Sequence, residues 1–559
     1  MSVSPRFVVR LTATALASLL VSVACSAAHP STSPHSAGSA TAPVKSRGTF
    51  LIVYASHLAE AAARWAEYRA AGGWQVRQLP VKPTDDPEAL RATLRARIRT
   101  MAANHRRWDR FAVLLLGDAG REGIPTWRIA QTDSSLLSRK DPLYATDHPY
   151  QLSSDSDERP SIILGRVPAR TVAEADTVLA KIRRYEENEE LGPWRRRIAY
   201  IAGEGRFGVA DRLLELLFKT MVDRMVPEAF DISMTYAKGS SIYCPPPSQL
   251  TETVLSQLDE GALLFNYIGH GTATRLDRLR WAGKRLPILG VEDLARLSGS
   301  HGRHPIAVLT CCSAGFYDLP GDTRCLAEAM LINPAGPVAV IAGSRPTHPY
   351  ANIILQKDIT RLLLIEGVGT VGELDLLAMR SMIQIDEDDR RLDTIIGPIA
   401  ALAKWPSSLR QLRRMHVKLY NLLGDPALKI ALPRGRIEGF ALQGDRIAGR
   451  VKGMAGGRVL ITLETRRTSP ARSAGLIPVD GDDDPDLEAK ARNNYPIAND
   501  LVLLRLEGRI NAGRFSVRLP DRLPSKAAVI KAYASGRDDS GRPLDAIAAL
   551  RLKPALALR

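Results

Sequence analysis

The stretch Ala262-Leu-Leu-Phe-Asn-Tyr-Ile-Gly-His-Gly271 decides how the chain folds, together with two runs that follow it, Ile306-Ala-Val-Leu-Thr-Cys-Cys-Ser-Ala-Gly315 and Gly336-Pro-Val-Ala-Val-Ile-Ala-Gly-Ser344. Each is a short β-branched or leucine-rich run that stops at small or polar residues. Buried parallel strands read this way, because helices cover both faces of the sheet and no polar alternation survives. In such sheets ligands bind beyond the carboxyl ends of the strands. Two of these ends carry chemistry, His270 and Cys312. If their strands are neighbours, an imidazole and a thiol meet at one edge, which is the minimum apparatus of a cysteine nucleophile with its base. Gly271 lets the backbone approach a substrate and aim an amide at it. Cys311 precedes Cys312 by one residue and on a strand faces the other way, so it reads as packing. One histidine and one cysteine far apart in sequence are, taken alone, more often unrelated; their placement at two strand ends raises the chemical reading.

Upstream of this stretch, residues 49–54, 75–81 and 111–116 read as strands and 58–71 and 88–105 as helices, with Gly72-Gly73 stopping the first helix. That βαβαβ order calls for a parallel sheet with right-handed crossovers. No glycine-rich nucleotide fingerprint follows these strands, since Gly117-Asp-Ala-Gly120 lacks the spacing. Residues 142–160 form a polar loop carrying Asp147, Asp155, Asp157 and Glu158. One of these carboxylates can orient His270, or the loop is a solvated acidic segment. His301 and His304 stand at the start of the cysteine strand, away from the chemistry. Pro346-Thr-His348, after the third run, forms a substrate-side loop in which His348 is a rival base.

Asn266-Tyr-Ile-Gly-His-Gly271 and Cys312-Ser-Ala-Gly-Phe316 resemble the gingipain-type cysteine peptidases, which share a caspase-like fold. Cys325-Leu-Ala-Glu-Ala329, Leu115-Leu-Gly-Asp118, Ile162-Ile-Leu-Gly-Arg166 and the segment 418–430 resemble the same family, so the likeness runs over about 48–432 in separated motifs. It implies Cys312 as nucleophile, His270 as general base, and the amides of Gly271 and Cys312 as oxyanion donors. The family places a histidine-orienting acid shortly before the Gly-Arg strand end. Ser161 stands there, which leaves the neighbours Asp157 or Glu158 for that role, or a dyad without one. The family also implies two α/β subdomains, 48–190 and 191–432, followed by an immunoglobulin-like module. Residues 433–559 fit the last, with short alternating runs between Gly, Asp and Pro that read as an all-β sandwich.

The net charge of +16 comes from arginines scattered along the chain, with no block of consecutive basic residues and few aromatics, so no nucleic-acid partner is expected. Five cysteines are too few for a disulfide scaffold, and no CxxC pair offers a metal site. The chemistry needs no cofactor. The acidic loop with Asp480, Asp482, Asp483 and Asp484 leaves room for a structural calcium, but it lacks EF-hand spacing and reads as disordered. Arg6 and Arg10, the apolar run 11–23 and the small residues after it make 1–28 an export signal, too short to span a bilayer comfortably. Val23-Ala24-Cys25 resembles a bacterial lipoprotein cleavage site, with Cys25 as a lipidated, membrane-attached first residue. Ser22 departs from that pattern, and cleavage after Ser26-Ala27-Ala28 competes. Residues 29–47 read as a flexible linker. The expectation is an exported cysteine endopeptidase acting on protein or peptide substrates, in the periplasm or cell envelope as a lipoprotein, or secreted. The alternatives are a catalytically silent surface scaffold of the same fold and an export-linked peptidase that processes specific clients.

Overall fold

The computed structural model describes residues 47–105, 110–120, 122–130, 143–205, 222–299, 301–402, 405, 408–482 and 484–552. The expected signal segment with Cys25, and the linker up to residue 46, lie outside these.

The three opening runs are neighbouring strands of one large sheet. Its ten strands are β1 (Thr49–Ala55), β2 (Gln75–Val81), β3 (Phe111–Leu116), β4 (Ile163–Val167), β5 (Arg197–Gly203), β6 (Asp231–Ala237), β7 (Leu264–Ile268), β8 (Ile306–Thr310), β9 (Ala339–Gly343) and β10 (Tyr420–Leu423). They lie in the order β2-β1-β3-β4-β10-β9-β8-β7-β5-β6. Every residue of β3, β8 and β9 is buried, as the unbroken apolar runs required. The first four strands lie on one side of the sheet and β5 to β9 on the other. They meet across β10, which runs antiparallel to β9 and touches β4 at Leu423–Arg166. Helices cover both faces. Asp86 caps the helix Pro87–Ala103 by accepting from the amides of Glu88 and Ala89, and Thr171 caps Val172–Glu186 by accepting from that of Glu174.

The seam is held by a buried charge. Arg166, 1% exposed, forms a two-pronged ion pair with Asp147 at 2.6 and 2.8 Å. Its Nη1 donates to the carbonyls of Gly117, Asp118 and Ile124 at 3.0–3.1 Å, and its own carbonyl accepts from Gly424 N at 2.7 Å. Asp147 N in turn donates to Asn421 Oδ1 on β10 at 3.0 Å. Asp147, read from sequence as part of a solvated acidic loop, is thus a buried structural anchor.

The all-β region is present as seven strands, β11 (Gly435–Gln443), β12 (Arg446–Val451), β13 (Met454–Glu464), β14 (Val502–Asn511), β15 (Arg514–Arg518), β16 (Val529–Asp538) and β17 (Pro543–Arg551). In place of two separate facing sheets, they close into a barrel in the order β11-β12-β15-β14-β13-β16-β17. One joint is the parallel pairing of Gly435–Arg436 with Ala546–Ile547. The other is the tight turn at Ala512–Gly513, both at positive φ, which joins β14 to β15 at Asn511–Arg514. Joining the edges leaves no open ladder at these strands.

The acidic loop is ordered, contrary to the expected disorder. Asp484 accepts from Lys490 Nζ at 2.7 Å and from the amides of Asp480 and Asp486, while Asp482 accepts from Ser240 N at 2.7 Å; Asp483 lies outside the described residues. The loop leads into the helix Leu487–Asn499, which covers the outer strand of the large sheet. There the Asn499 amide pairs with both backbone groups of Met234 at 2.7 and 3.0 Å, and Tyr495 Oη lies 2.7 Å from Thr235 Oγ1. Lys531 adds a buried cation between Asp231 and Glu464.

Removing one partner of a buried, hydrogen-bonded ion pair leaves a charge without compensation. Arg166→Leu is therefore expected to lower stability by about 3–5 kcal/mol, read as the shift of the urea unfolding midpoint against the unmutated chain.

Candidate active site

β7 and β8 are parallel neighbours whose last paired residues are Ile268 and Thr310. His270 and Cys312 each lie two residues beyond that pair, so the two chain turns leave the sheet side by side. The histidine turn is shaped by glycine and a buried phenol. A Cβ at Gly269 would stand 2.7 Å from Tyr267 Oη, and one at Gly203, at the end of β5, would stand 2.8 Å from it. That space lets the fully buried Tyr267 donate to His270 O at 2.6 Å while accepting from Asp277 N at 3.1 Å. The chain then enters a hairpin through the Gly271–Leu276 bridge.

The cysteine turn packs directly on it. A Cβ at Gly271 would meet Cys311 Sγ at 2.7 Å and Cys312 O at 2.9 Å, so only glycine allows this approach. Cys311 is fully buried and is the packing contact, as its place one residue before Cys312 suggested; Cys312 is half-buried. Ser313 follows at φ 59°, a conformation uncommon for a residue with a Cβ. Two anchors hold the turn in place. Ser313 N donates to Arg345 O at 3.1 Å and Gly315 N to Gly343 O at 2.9 Å. Asp318 accepts both prongs of the buried Arg345 guanidinium at 2.8 and 3.0 Å, and that guanidinium lies 3.6 Å from the centre of the Phe316 ring.

Thr347, from the loop after β9, faces the thiol: its N–H donates to Cys312 Sγ at 3.4 Å, and its carbonyl accepts from the thiol at 3.7 Å. Burial pushes the Cys312 thiol up from its ordinary value, because the thiolate loses solvation, and the Thr347 N–H opposes part of that shift. Cys311, deeper, is pushed further up by the same cause.

A cleft of ≈ 260 Å³ opens beside the histidine turn, with His270, Gly271, Thr272 and Asp277 in its wall, while Cys312 lies outside its lining. Asp277 is a carboxylate in this wall that the sequence reading did not single out. It lies seven positions after His270 in a hairpin whose return past Tyr267 no local pattern announces. Its Oδ2 is buried and, among the described residues, has no hydrogen-bond partner.

The acids expected to orient His270 are engaged elsewhere. Asp157 accepts from Arg159, and Glu158 pairs with Arg414 and Lys418 at 3.3 and 3.6 Å on the helix Leu409–Leu419. Ser161 bonds within its own loop, to Gln151 O and Ser153 N. His348 caps the helix Pro349–Thr360, its Nδ1 accepting from Tyr350 N at 3.3 Å. His304 is buried against Gly336 O, and loss of solvation pushes its pKa down to about 3. No group of three His, Cys, Asp or Glu side chains suited to a metal ion occurs among the described residues.

Residues 44–431 match the sequence profile of peptidase family C25. No curated protein matches the chain. Among solved structures it is similar to the Arg-specific cysteine proteinase gingipain R, at 13% identity and TM-score 0.51, over 92% of this chain and 100% of that one. It is also similar to a structure described only as a protease, at 14% identity and TM-score 0.50, over 91% and 98%. At these identities the likeness is one of fold.

With its thiol pushed up by burial, Cys312 is expected to be alkylated by iodoacetamide with a pH midpoint above the ordinary thiol value of about 8.5. A midpoint below it would mean that a nearby cation, His270 first, holds the thiolate.

Proposed function

The chain belongs to peptidase family C25 and is a cysteine-type peptidase, and on that premise we propose that it cuts peptide bonds through Cys312 and His270. The observation that carries this reading is the register of β7 and β8, with Gly271 packed on the Cys311–Cys312 turn.

In this mechanism His270 takes the proton from Cys312 Sγ as the sulfur attacks the scissile carbonyl. The carbonyl π pair moves onto oxygen, where the amides of Gly271 and Cys312 receive it. Collapse of the tetrahedral species expels the amine, which leaves with the proton from His270. Water, deprotonated by His270, then attacks the thioester, and the thiol departs with a proton to restore the enzyme. Asp277 takes the orienting place expected of Asp157 or Glu158 in this proposal, since its Oδ2 is buried behind the histidine turn, beside Gly203, with no hydrogen-bond partner among the described residues. The half-buried thiol faces Thr347, whose N–H offsets part of the rise that burial gives it.

The test is a panel of full-chain variants assayed with a mixed peptide library and a peptide acyloxymethyl-ketone probe. Cys312→Ala and His270→Ala are expected to lose labelling and to cut turnover by roughly 10⁴ or more, whereas Cys311→Ala keeps labelling. Labelling that persists in Cys312→Ala would sink the assignment of the nucleophile.

Export belongs to the same proposal and rests on the basic end, apolar run and small residues of positions 6–28. The intact mass of the mature chain checks it. A lipid-bearing Cys25 or an unmodified His29 as first residue supports it, and a retained residue 1 argues against it.

A further inference from the structure

The wall of the His270 cleft is crowded with positive charge: Arg275, Arg278, Arg280 and Arg285 line it, against the single acid Asp277. Three of the four sit on a small antiparallel ribbon, Arg278–Trp281 paired with Lys284–Pro287. Leu279 is 2% exposed and turns inward, so the alternation of the strand sends Arg278 and Arg280 to the opposite face. Arg285 lies directly across from Arg280 in the register. Like charges in that position destabilise a ribbon. Stability therefore gives no reason for this arrangement.

Nor are the charges neutralised locally. Arg275 has Glu292 at 3.2 Å. Among the described residues, Arg278, Arg280 and Arg285 have no carboxylate within ion-pair distance. Asp277 does not fill that role, because its side chain turns back beneath the turn: a Cβ at Gly203 would stand 3.2 Å from its Oδ2, which is buried.

We propose that this arginine face binds acidic side chains of a peptide substrate, so that the enzyme favours Asp or Glu close to the bond it cuts. The proposal rests on the peptidase reading of the same site. A peptide is the occupant because His270 and Gly271 lie in the wall of the cleft and Gly271 packs on the Cys311–Cys312 turn next to it, and because ≈ 260 Å³ holds one or two side chains rather than a nucleic-acid groove or a lipid surface. Guanidinium groups bind carboxylates through paired N–H donors, which suits a planar acidic side chain.

The test is equilibrium binding by fluorescence anisotropy to the full chain carrying Cys312→Ala, which holds substrate without turning it over. Three peptides of one length carry Glu, Gln or Lys on either side of a central bond. The Glu peptide is expected to bind at least about tenfold tighter than the Gln peptide, with the Lys peptide weakest and the preference shrinking at higher salt. Adding Arg280→Gln and Arg285→Gln should bring Glu and Gln peptides to within about twofold of each other. Arg518→Gln on the barrel, a control for total charge, should leave the preference in place.

Equal binding of Glu and Gln peptides, a preference for Lys, or a preference that survives the double substitution overturns the proposal. So does displacement of the Glu peptide by phosphatidylglycerol vesicles at lower anionic concentration than by unlabelled Glu peptide. Cleavage by the unmutated chain separates the two readings. Cutting all three peptides at equal kcat/KM upholds the peptidase and overturns the acidic preference. A binding preference with no cleavage upholds the arginine face and sinks hydrolysis at Cys312.

Discussion

The guanidinium of Arg166 is the point on which the large sheet turns. Burying that charge is tolerable only because Asp147 meets it with both oxygens and three carbonyls take further N–H groups. Those carbonyls belong to the turn after β3 and to the segment that follows it, so with the Asp147 loop one side chain collects three segments of chain. Its backbone reaches Gly424, and Asp147 reaches Asn421, which ties the first half of the sheet to β10. The guanidinium also lies 5.4 Å from the centre of the Tyr317 ring, five residues past Cys312. The Cys312 turn is thereby supported from the far half of the molecule.

The candidate site follows from a second constraint, close approach of backbone to backbone. Gly203, Gly269 and Gly271 leave the space into which Tyr267 and the Cys311–Cys312 turn fit. Packing and buried hydrogen bonds fix the backbone of the two turns that carry His270 and Cys312. The same burial raises the thiol, and the Thr347 N–H opposes part of that shift.

The barrel is joined to the sheet rather than merely following it. Asn499 offers its side-chain amide to Met234 as a peptide group would, so the outer strand meets a partner that stops further pairing. Arg195 with Asp545, at 3.0 Å, and Lys531 with Asp231 add charged contacts between the two regions. The acidic loop contributes to this junction: Asp482 holds Ser240 N, and Asp484 shapes the turn that launches the covering helix.

Local pattern by itself determined the parallel α/β sheet, because fully apolar runs such as Phe111–Leu116 and Ile306–Thr310 can be stable only as strands covered on both faces. It also determined that His270 and Cys312 stand at strand ends and that Cys311 packs, since alternation along a strand is a local rule. The all-β character of the last region was legible for the same reason. Tertiary structure alone decided the rest. Which strands are neighbours depends on pairings between distant residues, so the meeting of the two turns, the insertion of β10 and the closure of the barrel could not be read from any window of sequence. Charges were the least legible. Asp147, Asp157, Glu158 and Asp484 look alike in a polar loop, and only the position of Arg166, Arg159, Arg414 and Lys490 in space separates a buried anchor from a surface pair. Asp277 and the arginine ribbon were hidden likewise, because a side chain's partner, or its lack of one, is a property of the folded surface and not of its neighbours along the chain.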